Sequence, residues 1–282
     1  MNTCLLGLLA ETSIHPGAGQ SSGVVDLPVA REAATDYPVI PGSSLKGALL
    51  ALAREPGPSG VQLMPETERS HIFGQSDNAG ALLVSDARLL LLPVRSLQSA
   101  YKWVTCPHLL ERFERDCRRA AAQQAQQSLV PTNGEPAADT YLGADNGPLF
   151  LEERQFGCGG PLPGGLVKPL ETFILHGKTR QRLASRLVIL HDDDFAWFAR
   201  CGLAIQARNA LDANKTSQNL WYEETIPADA LFYALLAERA TNAIEPVKNL
   251  LENRPYLQVG GNETVGMGWF AVAFPNGKEG AE

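Results

Sequence analysis

Short apolar runs alternate along this chain with longer stretches in which apolar residues recur every three or four positions. The first run, TCLLGLLAETSI over 3–14, is bounded by polar residues and predicts a buried strand. Residues 14–40 then lose any period. They form a loop rich in glycine and serine that carries His15 and Asp26. Periodicity returns in VIPGSSLKGALLALAREP, which predicts a helix. Pro41 and Gly42 break the strand before it, and Ser43 or Ser44 is a natural N-cap. Leu45, Leu49 and Leu52 share one face, and Pro56 ends the helix. AGALLVSDARLLLLPVRS reads as one strand or two, with Pro93 stopping the run. Residues 107–129 read as a second helix, amphipathic at first and then rich in alanine and glutamine.

Residues 131–170 hold most of the glycine and proline density. They read as an irregular insertion or long hairpin within one domain spanning 1–282, not as a domain boundary. Residues 186–211 read as a strand leading into a helix. Residues 228–240 read as a strand with Leu231, Tyr233 and Leu235 on one side. A short helix over 243–255 follows, then a strand, a glycine loop and a final strand over 256–274. Strands alternating with helices predict an α+β sandwich of the split βαβ type.

Composition narrows the class. The chain has 282 residues, 44% hydrophobic and 20% charged, enough for a sizeable core in a soluble protein. The first apolar run meets Glu11 too early for a signal peptide, and no run of about 18 apolar residues occurs, so no membrane association is expected. Cys4, Cys106, Cys117, Cys158 and Cys201 form no C-x-x-C pair. Structural zinc is therefore not expected, and free thiols in a reducing cytoplasm are. The net charge of −7 argues mildly against a nucleic-acid binder, because phosphates call for local positive charge. Yet KTRQRLASR over 178–186 holds four basic residues and no acid, and RRA after Cys117 adds a smaller cluster. Either is a solvated face or a phosphate-binding stripe.

Several motifs carry candidate chemistry. PGSSLKG over 41–47 offers free N–H groups at a helix start, two hydroxyls and Lys46, either an ordinary capped helix or an anion site. In VGGNETVGMGWF, Gly260, Gly261 and Asn262 suit a hairpin turn. Gly266 and Gly268, read as alternate glycines in a strand, would clear one face for another backbone. HDDDF over 191–195 resembles a metal cluster but also reads as helix capping. Glu223 and Glu224 are adjacent on an extended segment, so their side chains point to opposite faces and only one can enter a given site. His15 and Asp26 have no serine or cysteine elbow, so a hydrolase triad is not indicated. Asp26 could assist phosphodiester cleavage, or only stabilise a turn.

Taken in order, PGSSLKG, HIFG, AGALLVSDARLL, LLLLPVRSL, WVTCPHLLERF, NLWYEETIPADALFYALL and LQVGGNETVGMGW resemble the RAMP superfamily of CRISPR-associated proteins. The closer likeness is to the backbone subunit of Cmr-type (type III-B) effector complexes, and residues 118–170 match least. The resemblance implies a ferredoxin-like (RNA-recognition-motif-like) core with a lid near 14–40 and a thumb region near 131–186. It implies several copies in a helical filament on a CRISPR RNA, working in antiviral defence. Its partners would be target RNA, the large polymerase-like subunit, the small helical subunit and guide-end-capping RAMP subunits. It also implies an endoribonuclease that cuts guide-paired target RNA at regular intervals, with a divalent metal ion (Mg²⁺ or Mn²⁺) and no organic cofactor. The alternative is a non-catalytic RNA-binding scaffold in the same filament. The implied catalytic carboxylate falls on Asp26, which could also bind metal; His15 and Glu223 or Glu224 match accessory positions. The implied guide-contacting residues are Gly42, Ser43, Ser44, Lys46, Gly260, Gly261, Asn262, Gly266 and Gly268. Lys178, Arg180 and Arg182 are the best candidates for a thumb-borne basic stripe.

Overall fold

In the computed structural model, which describes residues 2–20, 23–57, 60–120, 128–131 and 135–275, most strands join one twelve-stranded sheet. The first half of the chain runs β1 (Thr3–Ala10), β2 (Val39–Ile40), α1 (Gly42–Arg54), α2 (Glu66–Phe73), β3 (Gly74–Gln75), β4 (Asn78–Ala79), β5 (Leu82–Val84), β6 (Ala87–Arg95), β7 (Tyr101–Thr105) and α3 (Pro107–Arg119). The middle follows as β8 (Thr140–Gly143), β9 (Leu149–Leu151), β10 (Arg154–Gly160), α4 (Val167–Glu171), α5 (Gly177–Arg186), β11 (Leu187–Leu190) and α6 (Asp192–Cys201). The last part runs β12 (Ala204–Leu211), β13 (Ser217–Thr225), β14 (Leu231–Glu238), α7 (Ile244–Asn253), β15 (Tyr256–Gln258) and β16 (Trp269–Ala273).

The sheet order is β15-β16-β1-β14-β6-β7-β11-β8-β10-β9, with β2 beside β6 and β5 beside β14. β1 runs antiparallel to both β14 and β16. Its near-continuous apolar sequence follows from burial on both faces. Leu6, Leu8 and Ala10 join a core with α1 residues Leu45, Leu49 and Leu52 and α7 residues Val247 and Leu251. Leu5 and Leu9 join a second core with Phe113 of α3, Leu170 of α4 and Leu183 of α5. Helices α1 and α7 therefore cover one face, and α4 and α5 the other.

Four expectations change. Helix α1 begins at Gly42 after Pro41, and no side chain of its own caps it; Asp86 Oδ1 accepts the Gly42 N–H at 2.7 Å instead. Pro93 does not end its strand, because β6 runs on to Arg95 with Pro93 opposite Trp103. β14 pairs β6 only as far as Leu91, so the missing N–H of Pro93 costs no bond to that strand. The described part of 131–170 is not irregular: β8, β9 and β10 extend the main sheet and bury Tyr141, Leu149, Leu151 and Phe156. Their glycines hid an apolar alternation. Finally, the helix after β11 stops at Cys201, and 204–211 is a strand, β12, paired with β13 in a ribbon outside the main sheet. Strand β7 also went unread. Part of the alanine- and glutamine-rich stretch, 121–127, lies outside the described residues. Among the described residues, no helix is long and apolar enough to cross a membrane.

Candidate functional site

The lid folds back on itself and then runs beside β13. Gly17 bridges Val29, and Ala30 N–H donates to the Pro16 carbonyl at 2.6 Å, closing the loop that holds Asp26. Ser21 and Ser22 of this loop lie outside the described residues. Leu27 bridges Glu223 in parallel. Its N–H donates to the Tyr222 carbonyl at 3.1 Å, and Glu224 N–H donates to the Leu27 carbonyl at 3.0 Å. Next to it, Tyr222 N–H donates to Asp26 Oδ2 at 2.8 Å. Asp26 is thereby fixed, half-buried, where lid meets ribbon. It faces a cleft of about 380 Å³ lined by Gln20, Leu27, Asn219, Leu220 and Trp221.

The adjacent glutamates do split to two sides, as the pleat requires. Glu223 accepts from the Asn262 amide, with Arg208 Nε at 3.4 Å and His15 Nδ1 at 3.6 Å. Glu224 accepts from Val29 N–H at 3.1 Å and pairs with Arg31 at 2.6 Å. Both are buried, and buried carboxylates persist only when paired and hydrogen-bonded. His15 is buried too, with Nδ1 at 2.8 Å from the Glu224 carbonyl. A carbonyl only accepts, so Nδ1 carries a proton. Among the described residues Asp26 has no cationic partner. It is the candidate carboxylate whose charge is not already spent.

The glycine loop closes on the same place. Gly261 N–H donates to the His15 carbonyl at 2.9 Å, and Gly268 N–H donates to the Ser13 carbonyl at 3.0 Å. Gly266 and Gly268 are not alternate strand residues: they precede β16 at φ 81° and 86°, values that suit glycine. A methyl group on Gly268 would meet the Val259 carbonyl at 2.4 Å. Between this loop and α1 lies a groove of about 440 Å³, with Ser44 and Gly47 on one wall and Gly260 and Gly261 on the other.

Several predicted contacts do not join that groove. Gly42 is buried, its N–H is taken by Asp86, and its α-carbon packs on the Val84 and Ser85 carbonyls. Ser43 is exposed. Lys46 turns instead to the Leu82 carbonyl, 3.1 Å away. Burial, with Arg239 nearby, holds its pKa below the ordinary lysine value. The side chain of Asn262 is spent on Glu223. Lys178, Arg180 and Arg182 lie on α5, across the sheet from α1. Lys178 and Arg182 are exposed, whereas Arg180 donates to the Ile174 carbonyl at 2.5 Å. The HDDDF motif is a helix start, in which His191 Nδ1 accepts from Asp193 N–H at 3.1 Å and Asp194 pairs with Arg154 at 2.5 Å. No cluster of three or more metal-ligating side chains occurs among the described residues. Pattern reading missed Arg31 and Arg208, since a lone arginine in a loop or strand carries no periodic signal.

The RAMP superfamily pattern matches residues 8–271. The chain belongs to the RAMP superfamily. Among this RAMP chain's relatives is the CRISPR system Cmr endoribonuclease Cmr4 of Pyrococcus furiosus, 36% identical over 288 residues that cover 96% of this chain and 95% of that one. The CRISPR system CMR subunit Cmr4 of Saccharolobus solfataricus is 25% identical over 290 residues, 92% of each chain. The crystal structure of oligomeric Cmr4 from Pyrococcus furiosus superposes with a TM-score of 0.74 at 31% identity, over 100% of both chains. A chain of the type III-B Cmr-beta complex bound to cognate target RNA shares the RAMP fold, at TM-score 0.77 and 20% identity over 98% of each.

Proposed function

We propose that this chain is the repeated backbone subunit of a type III-B CRISPR effector complex and that it cuts target RNA paired to the guide, with Asp26 as the catalytic carboxylate. The observation that carries this is the placement of Asp26. Its carboxylate is tethered by one backbone N–H, has no cationic partner among the described residues, and lies at the junction of lid and ribbon. The kinship with an endoribonuclease at 36% identity supports it. Sheet order β16-β1-β14-β6, with α1 and α7 on one face, supports a ferredoxin-like core.

The guide lies in the groove between α1 and the glycine loop, where Ser44, Gly47, Gly260 and Gly261 let a sugar-phosphate chain approach closely. The exposed ribbon β12–β13, rather than residues 131–186, is the thumb that splays a nucleotide. Splaying frees one backbone linkage from A-form geometry, so the 2′-oxygen can line up with the adjacent phosphorus and the leaving 5′-oxygen. As the 2′-oxygen bonds to phosphorus and the bond to the 5′-oxygen breaks, Asp26 takes the 2′-hydroxyl proton and the departing 5′-oxygen takes a proton from water, leaving a cyclic phosphate and a 5′-hydroxyl. A divalent ion, Mg²⁺ or Mn²⁺, would find one carboxylate here, that of Asp26, and would need RNA oxygens as its other ligands. When bound, it supplies charge neutralisation at the reacting phosphate. The chain works in an assembly with further copies of itself, guide RNA and the other Cmr-type subunits.

The test is Asp26→Asn in the assembled complex, which keeps an acceptor for Tyr222 N–H. Cleavage should fall by about 10²–10⁴-fold, the span of acid–base contributions, while guide binding and assembly persist. Cutting at the full rate would remove Asp26 from the mechanism and leave the scaffold reading.

A further inference from the structure

Glu224 directs all of its polar groups at the lid and His15. Its N–H donates to the Leu27 carbonyl at 3.0 Å, Oε2 accepts from Val29 N–H at 3.1 Å, and Oε1 accepts from Arg31 at 2.6 Å. Its carbonyl accepts from His15 Nδ1 at 2.8 Å. Leu27, Val29 and Arg31 are alternate residues of one extended segment, so one residue, through its main chain and its carboxylate, reads the period of that segment. Arg31 is in turn tied to a helix end: its guanidinium donates to the Ala199 carbonyl at 2.8 Å and the Arg200 carbonyl at 3.5 Å, at the C-terminus of α6, and to the Asp36 carbonyl at 2.8 Å. That helix end is a favourable place for a cation. The side chains of the pair are only 16% and 9% exposed, so water does little to weaken them.

We infer that Arg31 and Glu224 are positioning residues that set the register of segment 26–31 along β13 and thereby place the Asp26 carboxylate. The inference rests on the proposed role of Asp26. The main-chain contacts of this segment to β13 are few: two hydrogen bonds at Leu27 and the bond from Tyr222 to Asp26. The pairings of Gly17 with Val29 and of Arg31 with Pro38 tie the lid to itself, not to β13. Ile14 pairs with Ile226, and residues 16–18 pair with 28–30 through Ala30 N–H to the Pro16 carbonyl at 2.6 Å and Ala18 N–H to the Pro28 carbonyl at 3.2 Å, so the Arg31–Glu224 pair adds the side-chain hold to a main-chain one. A slip by one residue would move the segment by about 3.3 Å and turn alternate side chains to the other side. Asp26 would then leave Tyr222 and the cleft. The Arg31–Glu224 pair opposes that slip, because only Arg31 at its present position reaches α6 and Glu224 together.

The experiment compares wild type, Arg31→Lys, Glu224→Gln and Asp26→Asn in the assembled, guide-loaded complex. Single-turnover cleavage and target affinity are measured on a guide-matched RNA. The positioning variants should cut about a hundredfold more slowly, the cost of displacing a reacting group by roughly 1 Å, with target affinity unchanged. If Asp26→Asn is inactive while both positioning variants cut at the wild-type rate, the inference is overturned and the proposed role of Asp26 stands. If Asp26→Asn cuts at the full rate, that role fails first. A variant that does not enter the complex is read by amide exchange of the isolated full-length chain. Faster exchange at Tyr222 supports the inference, and unchanged protection there overturns it.

Discussion

The two halves of β13 behave as different materials. In the outer half, Leu220 and Tyr222 are 55% and 46% exposed, and Leu211 on the partner strand is 56% exposed. In the inner half, Glu223 and Thr225 are each 1% exposed. The same strand thus carries apolar side chains in water and a carboxylate in the interior, the reverse of the usual arrangement. The outer half adds no core and is free to meet a partner. The inner half holds its charges through Arg208, Arg31, His15 and Asn262, so its stability is electrostatic and cooperative. Function and stability should therefore separate along nine residues of one strand.

Substitutions can break or sharpen that contrast. Glu223→Ala should cost most, about 3–5 kcal/mol in urea unfolding, because it strands Arg208 and the Asn262 amide beside a buried histidine. Gly268→Ala should cost about 1–3 kcal/mol, since a side chain there combines a left-handed backbone with a clash on Val259, and thermal melts would show it. Glu238→Gln, remote from both halves, calibrates an ordinary cap. Glu238 accepts from Ile244 N–H at 2.9 Å and Ala243 N–H at 3.0 Å, and these bonds lower its pKa. A lowered carboxylate stabilises the fold above its unfolded pKa and loses that contribution as pH falls through the folded value. The variant should therefore cost about 0.5 kcal/mol at neutral pH, at the low end because the group is partly solvated, and the gap should close as pH falls through the lowered pKa of Glu238. Leu220→Ser, in the outer half, should change stability by no more than about 0.5 kcal/mol in the same melts. A large loss there would erase the distinction between the halves.

The inner half was partly legible. Adjacent Glu223 and Glu224 had to face apart in any strand, and they do. β1 was legible because it is buried on both faces, and α1 because Leu45, Leu49 and Leu52 keep helical spacing. The ribbon was not. β12 reads AIQARNAL, rich in good helix formers, and its solvated strand pairing leaves no alternation of burial to detect. Residues 140–160 hid three strands because their glycines and prolines are louder than Tyr141, Leu149 and Phe156. For Asp26, the residues alone allowed a turn as readily as a catalyst. The resemblance singled it out, and the lack of a cationic partner among the described residues supplied the physical distinction. Lys46 turns to the Leu82 carbonyl, a direction that a basic residue in a first helical turn does not announce.

The hydrogen bonds that fix the lid to β13 join residues 195 and 196 positions apart, and that of His15 spans 209. The glycine loop that packs on His15 comes later still. During synthesis, the lid leaves the ribosome long before anything exists to hold it. Asp26 therefore acquires its place only after β13 and the glycine loop are made. So long a closure slows the pairing, as it does for β1 with β14 and β16. Until then Asp26 has no fixed place.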